Sequence, residues 1–337
     1  RIHKDFNERY KGFHRLLDST RELLEDGASP FDVAIHEGEV LTIDKAIDYA
    51  LSVKKLKIGK DTYDSYEIRA NQLKEFLKKR GVLQRDTFSF NFKVIREFLN
   101  DVAKNSSMAN RNNVLRAIKA LFSEMYKNDM ITENYVAKID IEKVHTQRFK
   151  SYSHQEAIDI IEHLEKVDPV MGLFIKFIGY NFLRPKEVVR LKVGDIDLKN
   201  KLLSVFVKQG RYKTKRIPES IIEELSKYDL SKKDNLLFVR NSISGKWKRD
   251  EKGRRQFYSA RYSEIKKKLG FGEGYVLYSF RHTYITIGYK NLRKRLSKED
   301  SLDTLMGYTG HDSRESLQKY IHYTDAEIVG EYKGIVE

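Results

Sequence analysis

Between residues 42 and 140 the apolar positions recur at helical spacing. The stretch TIDKAIDYALSVKKLK, from Thr42 to Lys57, puts Ile43, Ala46, Ile47, Ala50 and Leu51 on one face, behind a threonine suited to cap the start. Asp61 or Thr62 is the expected cap of a second helix, in which Tyr66, Leu73, Phe76 and Leu77 lie along one face before Gly81. Phe92, Ile95, Phe98, Leu99 and Val102 predict a third helix, and Val114, Ala117, Ile118, Leu121, Phe122 and Met125 a fourth. Together they predict a helical domain over 41–145. A polar connector, EKVHTQRFKSYS, follows at 142–153. Residues 1–40 read as a separate N-terminal segment, helical at its start, with no role assigned.

Beyond residue 153 the period changes. Helical patterns at Gln155–Leu164, Gly172–Tyr180 and Pro185–Leu191 give way to LLSVFV at 202–207 and KRIP at 215–218, which flank the basic turn KQGRYKT and read as a hairpin. NLLFV at 235–239 predicts a further short strand. Helices are expected around 258–268, 279–290, 301–306 and 313–321. The fold class is therefore mainly α, with a small antiparallel β-sheet in a C-terminal domain spanning 146–337.

Length and composition narrow the partners. The 337 residues suit two domains, each able to bury a core of its own. With no cysteine, disulfides, thiolate metal sites and a cysteine nucleophile are excluded. Neither a long apolar run nor an apolar leader is present, so the expectation is no membrane and a cytoplasmic location. The net charge is +15, unevenly placed. Residues 1–50 carry 7 basic and 11 acidic residues, whereas 51–150 carry 21 and 12. Residues 201–216 hold six basic and no acidic residues, 240–268 hold eleven against three, and 301–337 return to a net −4. Two concentrated basic windows point to a polyanion, most simply nucleic acid.

The candidate chemistry lies in the C-terminal half. Asn181-Phe-Leu-Arg184-Pro-Lys-Glu187-Val-Val-Arg-Leu is followed by Gly194-Asp-Ile-Asp-Leu; Tyr278-Ser-Phe-Arg281-His282-Thr-Tyr comes later, then Gly310-His311, and Tyr320 nine residues after that histidine. An Arg and a Glu three apart, or a Gly-His pair, occur often by chance; their order and spacing together are specific. In that order the boxes resemble the signatures of the tyrosine recombinases, the phage integrase family. The resemblance covers about residues 150–325, and the helical region before it resembles that family's core-binding domain.

What the resemblance implies is a two-domain clamp on double-stranded DNA, with catalytic residues Arg184, Lys208, Tyr278, Arg281, His311 and Tyr320. Tyr320 would attack a phosphodiester, leaving a 3′-phosphotyrosyl link and a free 5′-hydroxyl, with no cofactor or metal. A free phenol titrates near about 10, so the attack needs its proton removed or its anion stabilised. Arg184 and Arg281, permanently charged, would clamp the phosphate oxygens, and His311 would add a donor. The family takes the leaving-group proton from a hairpin lysine. Lys208, at the end of the first strand, is favoured, with Lys213 second; Lys215 completes the hairpin's lysines. The chain departs from the family pattern at Tyr278, where the second box normally opens with His, and a phenol is a poorer base near pH 7. His282, directly after Arg281 on one helix, is expected to point elsewhere and to act in support.

The implied assembly is a homotetramer on two DNA sites, with accessory DNA-bending proteins a further partner class. Asn110, Arg111 and Asn112 are candidates for DNA contact, with capping the other reading of the asparagines. Ala326, Ile328 and Val329 lie on a candidate tail helix that would pack on a neighbouring protomer. Two other functions fit the boxes: a catalytically weak or inactive DNA-binding regulator, and a relaxing enzyme of the type IB topoisomerase kind.

Overall fold

A computed structural model of the chain describes residues 41–87, 92–144, 149–207 and 211–321, together with scattered positions before 41. Most of residues 1–40, Lys208 and the tail helix expected around Ala326, Ile328 and Val329 lie outside the described residues. Two compact units make up the chain, divided between Thr146 and Gln147.

The first unit is built on four helices: α1 (Ile43–Lys57), α2 (Lys60–Lys79), α3 (Phe92–Asn105) and α4 (Met108–Lys127). The Thr42 hydroxyl accepts the Lys45 amide, capping α1. Helix α2 begins one residue before the expected cap, at Lys60 after Gly59, so neither Asp61 nor Thr62 caps it. Ser107 caps α4 through the Asn110 amide. The faces predicted from spacing meet in one core of Ala46, Ile47, Leu73, Leu77, Ile95, Phe98, Ile118 and Leu121. Fully burying each of the Ile, Leu and Phe side chains contributes about 1.5–3 kcal/mol.

Arg111 and Asn112 are taken up by the fold and not left for DNA contact. Both are buried. Arg111 donates to the Asp140 carbonyl at 2.9 Å, and Asn112 both donates to the Glu142 carbonyl at 2.8 Å and accepts the Glu142 amide. They fasten the chain where it leaves the unit. The Asn110 side chain, for its part, donates to the Ser106 hydroxyl.

The second unit centres on α6 (Pro169–Gly179), whose residues Val170–Gly179 are all buried. Asp168 caps it, with Pro169 in the first turn. Its one charged residue, Lys176, is paired with Glu165 and, at 2.6 Å, with Glu224, so the buried ammonium is neutralised. Helix α5 (His154–Val167) packs on one side of α6 and α10 (Leu277–Arg293) on another. Helix α10 comes so close that a Cβ at Gly179 would lie 2.6 Å from the Tyr284 ring, which is why glycine stands there. The short α7 (Pro185–Val188) and α8 (Glu219–Leu225), then α9 (Glu251–Lys268), α11 (Lys298–Thr309) and α12 (Arg314–Gln318), complete the helices.

Strands β1 (Ile196–Asp197), β2 (Leu202–Val207) and β3 (Arg211–Arg216) form an antiparallel sheet in that order. The hairpin register pairs Leu202 with Arg216 and Val207 with Arg211, so the second strand starts four residues earlier than its apolar content indicates. The strand expected at 235–239 is present as β4 (Leu236–Phe238), but it pairs with β5 (Ile243–Gly245) in a separate two-stranded sheet. The residues entering the second unit run along α10: Lys150 donates its amide to Gly274, and Tyr152 donates its amide to the Thr283 hydroxyl at 2.9 Å.

Glu124 tests the first unit. Its side chain is buried and accepts Lys54 at 2.7 Å and Lys57 at 2.6 Å, which hold its carboxyl down at about 2. A depressed carboxylate contributes stability above its unfolded value near 4.5 that is lost as pH falls toward 2. Glu124→Gln is expected to cost about 2 kcal/mol at pH 7 and to flatten the stability–pH curve between about 4.5 and 2, read by urea unfolding.

Candidate active site

Each candidate side chain is delivered by a different local device. The loop 181–184 leaves α6 with Phe182 at positive φ, a conformation uncommon for a non-glycine residue. It ends at Arg184, the cap position of α7. Glu187, buried one turn on, accepts the Arg184 amide at 2.7 Å and its guanidinium at 2.9 Å. The i,i+3 ion pair that the sequence alone allows is thus present, and it aims Arg184 rather than replacing its role in a site. Burial opposes the guanidinium's charge, but the Glu187 carboxylate outweighs it and raises the pKa further.

Arg281 lies on α10 and is completely buried. Its Nη2 reaches the Thr309 carbonyl at 3.4 Å and His311 Nε2 at 3.5 Å, while Nε and Nη1 have no partner. Burial lowers its pKa. A buried cation with two donors unoccupied is costly to hold and is suited to bind an anion.

His311 is placed by the preceding glycine. Gly310 ends α11 in the left-handed region, φ +74°, its amide donating to Met306, and the chain turns inward. The Thr309 hydroxyl lies 2.8 Å from the Leu305 carbonyl and 2.7 Å from His311 Nδ1. A carbonyl only accepts, so the hydroxyl proton goes to Leu305 and Nδ1–H donates to Thr309. Nε2 is then a bare lone pair facing Arg281. Burial, Arg281, Arg184 and Lys215 push the imidazole down to about 3. His311 is therefore an acceptor toward the site in the free chain, and the donor expected there requires a second proton.

Tyr320 follows α12 and is partly exposed. Its hydroxyl is 2.7 Å from the Tyr278 hydroxyl. The Arg281 guanidinium carbon lies 5.6 Å from the Tyr320 ring centre, and His311 packs on the ring at 4.7 Å. Burial pushes Tyr278 up to about 12, Arg281 opposing and Tyr320 reinforcing the shift. At neutral pH Tyr278 is a neutral phenol, a hydrogen-bond partner and not a base.

His282 corrects the expectation that it points away. Its ring stacks on Tyr320, with centres 4.6 Å apart and planes 24° apart, and meets Tyr278 edge-on at 5.2 Å. The signal was available: 278 and 282 are four apart and share a face of α10. Among the hairpin lysines, Lys208 lies outside the described residues. Lys213 donates to the Gly310 carbonyl at 3.2 Å and meets Asp312 at 3.4 Å. Lys215 reaches the Asn181 and Tyr308 carbonyls, a position the sequence reading left without a role.

A cavity of about 540 Å³ opens beside the site, lined by Phe149, Arg184, Arg255, Lys266, Tyr275 and Tyr278. Its cationic rim suits an anionic chain. Not every cation of the 240–268 window faces it freely: Arg261 binds both Asp168 carboxylate oxygens at 2.7 Å, and Lys266 donates to Gly272 and Tyr275 carbonyls. Among the described residues no cluster of His, Asp and Glu is arranged to hold a metal ion, and no helix is long and apolar enough to cross a membrane.

Five residues from three separated stretches thus converge on one tyrosine. Residues 147–327 match the phage integrase family, more than half of the chain, which therefore belongs to this family of tyrosine recombinases. The tyrosine recombinase XerH of Helicobacter pylori is 23% identical over 273 residues, 74% of this chain and 72% of that protein. A lambda integrase dimer bound to a COC' core site shares the fold with a TM-score of 0.67 at 16% identity, over 92% of this chain and 88% of that one. The Tn1549 transposon integrase in complex with circular intermediate DNA matches with a TM-score of 0.61 at 14% identity, over 83% of this chain and 95% of that one.

The state of His311 has a measurable consequence. Its folded value, about 3, is below the ordinary 6.5, so between those pH values the unfolded chain binds a proton that the folded chain refuses. Stability falls as pH drops from 6.5 toward 3, by about 1.4 kcal/mol per pH unit at most. His311→Gln is expected to flatten that limb in denaturant unfolding between pH 6.5 and 4.

Proposed function

We propose that the chain is a site-specific DNA recombinase that cleaves and rejoins duplex DNA through a 3′-phosphotyrosine at Tyr320. The observation that carries this reading is the Tyr320 hydroxyl held at 2.7 Å by Tyr278, beside a buried Arg281 with two donors unoccupied. A phosphate between Arg184 and Arg281 fills those donors, and the charge developing on its oxygens is stabilised by groups already in place. The Tyr320 oxygen forms a bond to phosphorus, the bond to the 5′ oxygen breaks, and the bond energy is retained in the ester. Rejoining therefore needs no nucleotide hydrolysis.

Proton traffic follows from the states of the groups. Tyr278, protonated at neutral pH, orients the nucleophile and does not take its proton, which passes to a phosphate oxygen or to water. His282 and His311 both pack on the ring. Phosphate binding favours a second proton on His311, which then donates to the oxygens. Lys208 supplies the proton of the departing 5′ oxygen.

Duplex DNA is the proposed partner of both units, and the assembly a tetramer on two sites. Supporting this, related structures include a lambda integrase dimer bound to a COC' core site and a lambda integrase tetramer bound to a Holliday junction. Accessory DNA-bending proteins and a cytoplasmic setting belong to the same reading.

The test is a pool of nicked suicide duplexes of randomised sequence, incubated with the purified chain, with covalent adducts captured and sequenced. A recombinase yields adducts enriched in one sequence, and Tyr320→Phe abolishes them. Arg184→Ala reduces adduct formation at least about 1,000-fold with duplex affinity within about threefold, because its contact is made chiefly in the transition state. Neutralising the exposed Lys246, Lys248 and Lys252 weakens binding to all sequences alike and flattens the salt dependence. Adducts without sequence enrichment, together with plasmid relaxation, indicate a topoisomerase; sequence-selective binding without any adduct indicates a regulator.

A further inference from the structure

Strand β3 presents Lys213 and Lys215 on one face, as residues two apart on a strand must be. Lys215 donates to two carbonyls from separate elements, Tyr308 at 2.7 Å and Asn181 at 3.2 Å. Asn181 opens the loop that delivers Arg184. Its side chain donates back to the Arg216 carbonyl at 2.8 Å, so the strand and this loop are joined twice. Tyr308 belongs to the last turn of α11, two residues before Gly310, and Lys213 holds the Gly310 carbonyl itself. One strand thereby grips both the loop of the first arginine and the turn of the histidine.

The groups facing the Lys215 ammonium are mostly cationic. Arg281 approaches from α10, Arg184 from α7, Lys213 from the same strand and His311 from the turn after α11; Glu187 on α7 is the one carboxylate among them. Burial first, then Arg281, with Arg184 and Lys213 adding to it, pushes the amine from the ordinary lysine range down to about 7, Glu187 opposing. A neutral amine has two hydrogens, enough for the two carbonyls, so the grip persists when the proton is absent. Protonation turns both bonds into stronger, charge-assisted ones.

We infer that Lys215 is a positioning residue of the phosphate site, a brace that fixes the spacing between the Arg184 loop and the His311 turn and takes up a proton when a phosphate enters. The inference rests on the recombinase reading, in which that phosphate lies between Arg184 and Arg281. A phosphodiester brings one negative charge into a cluster of cations, which favours the charged form of the amine. By linkage, binding then draws a proton on, and affinity falls as pH rises above the free-chain value of about 7. The role differs from that of a leaving-group acid, because the Lys215 hydrogens are directed to Asn181 and Tyr308.

The experiment uses Tyr320→Phe protein, which binds without covalent reaction, and a random-sequence duplex at low salt as probe. Calorimetric titrations near pH 8 in buffers of different ionisation enthalpy count the protons taken up. Uptake by the protein with Lys215 exceeds that of K215R, permanently charged, and of K215M, never charged, by close to one proton per bound site, any uptake by His311 being common to all three. Equal uptake in K215M overturns the inference. In the Tyr320 protein, K215M is expected to slow adduct formation at least tenfold at every pH, while K215R, which keeps donors for both carbonyls, retains most of the rate and loses the alkaline decline. A K215M rate equal to the parent overturns the brace. A substrate with a 5′-bridging sulfur, whose leaving group needs no proton, leaves K215M slow; if it restores the rate, Lys215 is an acid and the brace is wrong. Thermal unfolding of K215R and K215M confirms that each is folded. Failure of the recombinase reading shows separately, as no adduct from the parent chain, while proton uptake is still counted.

Discussion

A guanidinium removed from water with no carboxylate against it is the constraint on which the catalytic unit turns. Arg281 is completely buried, and two of its nitrogens have no partner. An uncompensated charge in a protein interior is unfavourable by several kcal/mol, and a loose structure would let the side chain swing out to solvent. Here α10, which carries Arg281, is held against the buried α6, closely enough that only glycine fits at 179. The rigidity of that helix pair keeps the unsatisfied cation in place. The depressed His311 and Lys215 follow from sharing the same enclosed, positively charged space, whereas Tyr278 is raised by its burial against the pull of Arg281 and Arg184.

The site also shows how one side chain serves fold and chemistry together. Glu187 closes the first turn of α7 and aims Arg184, so the ion pair and the phosphate clamp are not rival readings. Thr309 completes a helix turn through Leu305 and, by the direction of its hydroxyl proton, fixes which nitrogen of His311 faces Arg281. Strand β3 pairs with β2 through its backbone, and through the lysines of one face it joins the loops of two boxes.

Helix faces with long apolar periodicity were legible from residues alone, because burial and spacing are the same signal: the cores of α1, α3 and α4 are the faces read from the sequence. The order of Arg184, Arg281, His311 and Tyr320 was legible through resemblance. The first half of α9 was missed, since EKGRRQ offers no apolar stripe and is helical through the Asp250 cap and contacts such as Arg190 with Glu251. β3 was read too short because RYKTKR is polar on both faces, its pairing supplied by backbone bonds to β2. Adjacency to Arg281 points His282 away from the site, whereas the i,i+4 relation to Tyr278 places it on the same face of α10. Lys215 carried no signal of its own: what distinguishes it is two carbonyls more than thirty residues away along the chain.

The way the chain enters the catalytic unit bears on where that unit begins as an independent folding piece. Tyr152 is buried under Phe271, Tyr275 and Phe280, and its hydroxyl meets that of Tyr262. Phe149 lies edge-on to Tyr278 at 6.5 Å. Residues 149–152 are thus a strap belonging to the core of the second unit, although their composition reads as linker. A fragment cut at the Ser153 cap would begin at a clean helix start and yet uncover the aromatic cluster of Tyr262, Phe271, Tyr275 and Phe280, a surface prone to self-association. The natural boundary is set by that strap and not by the first regular element.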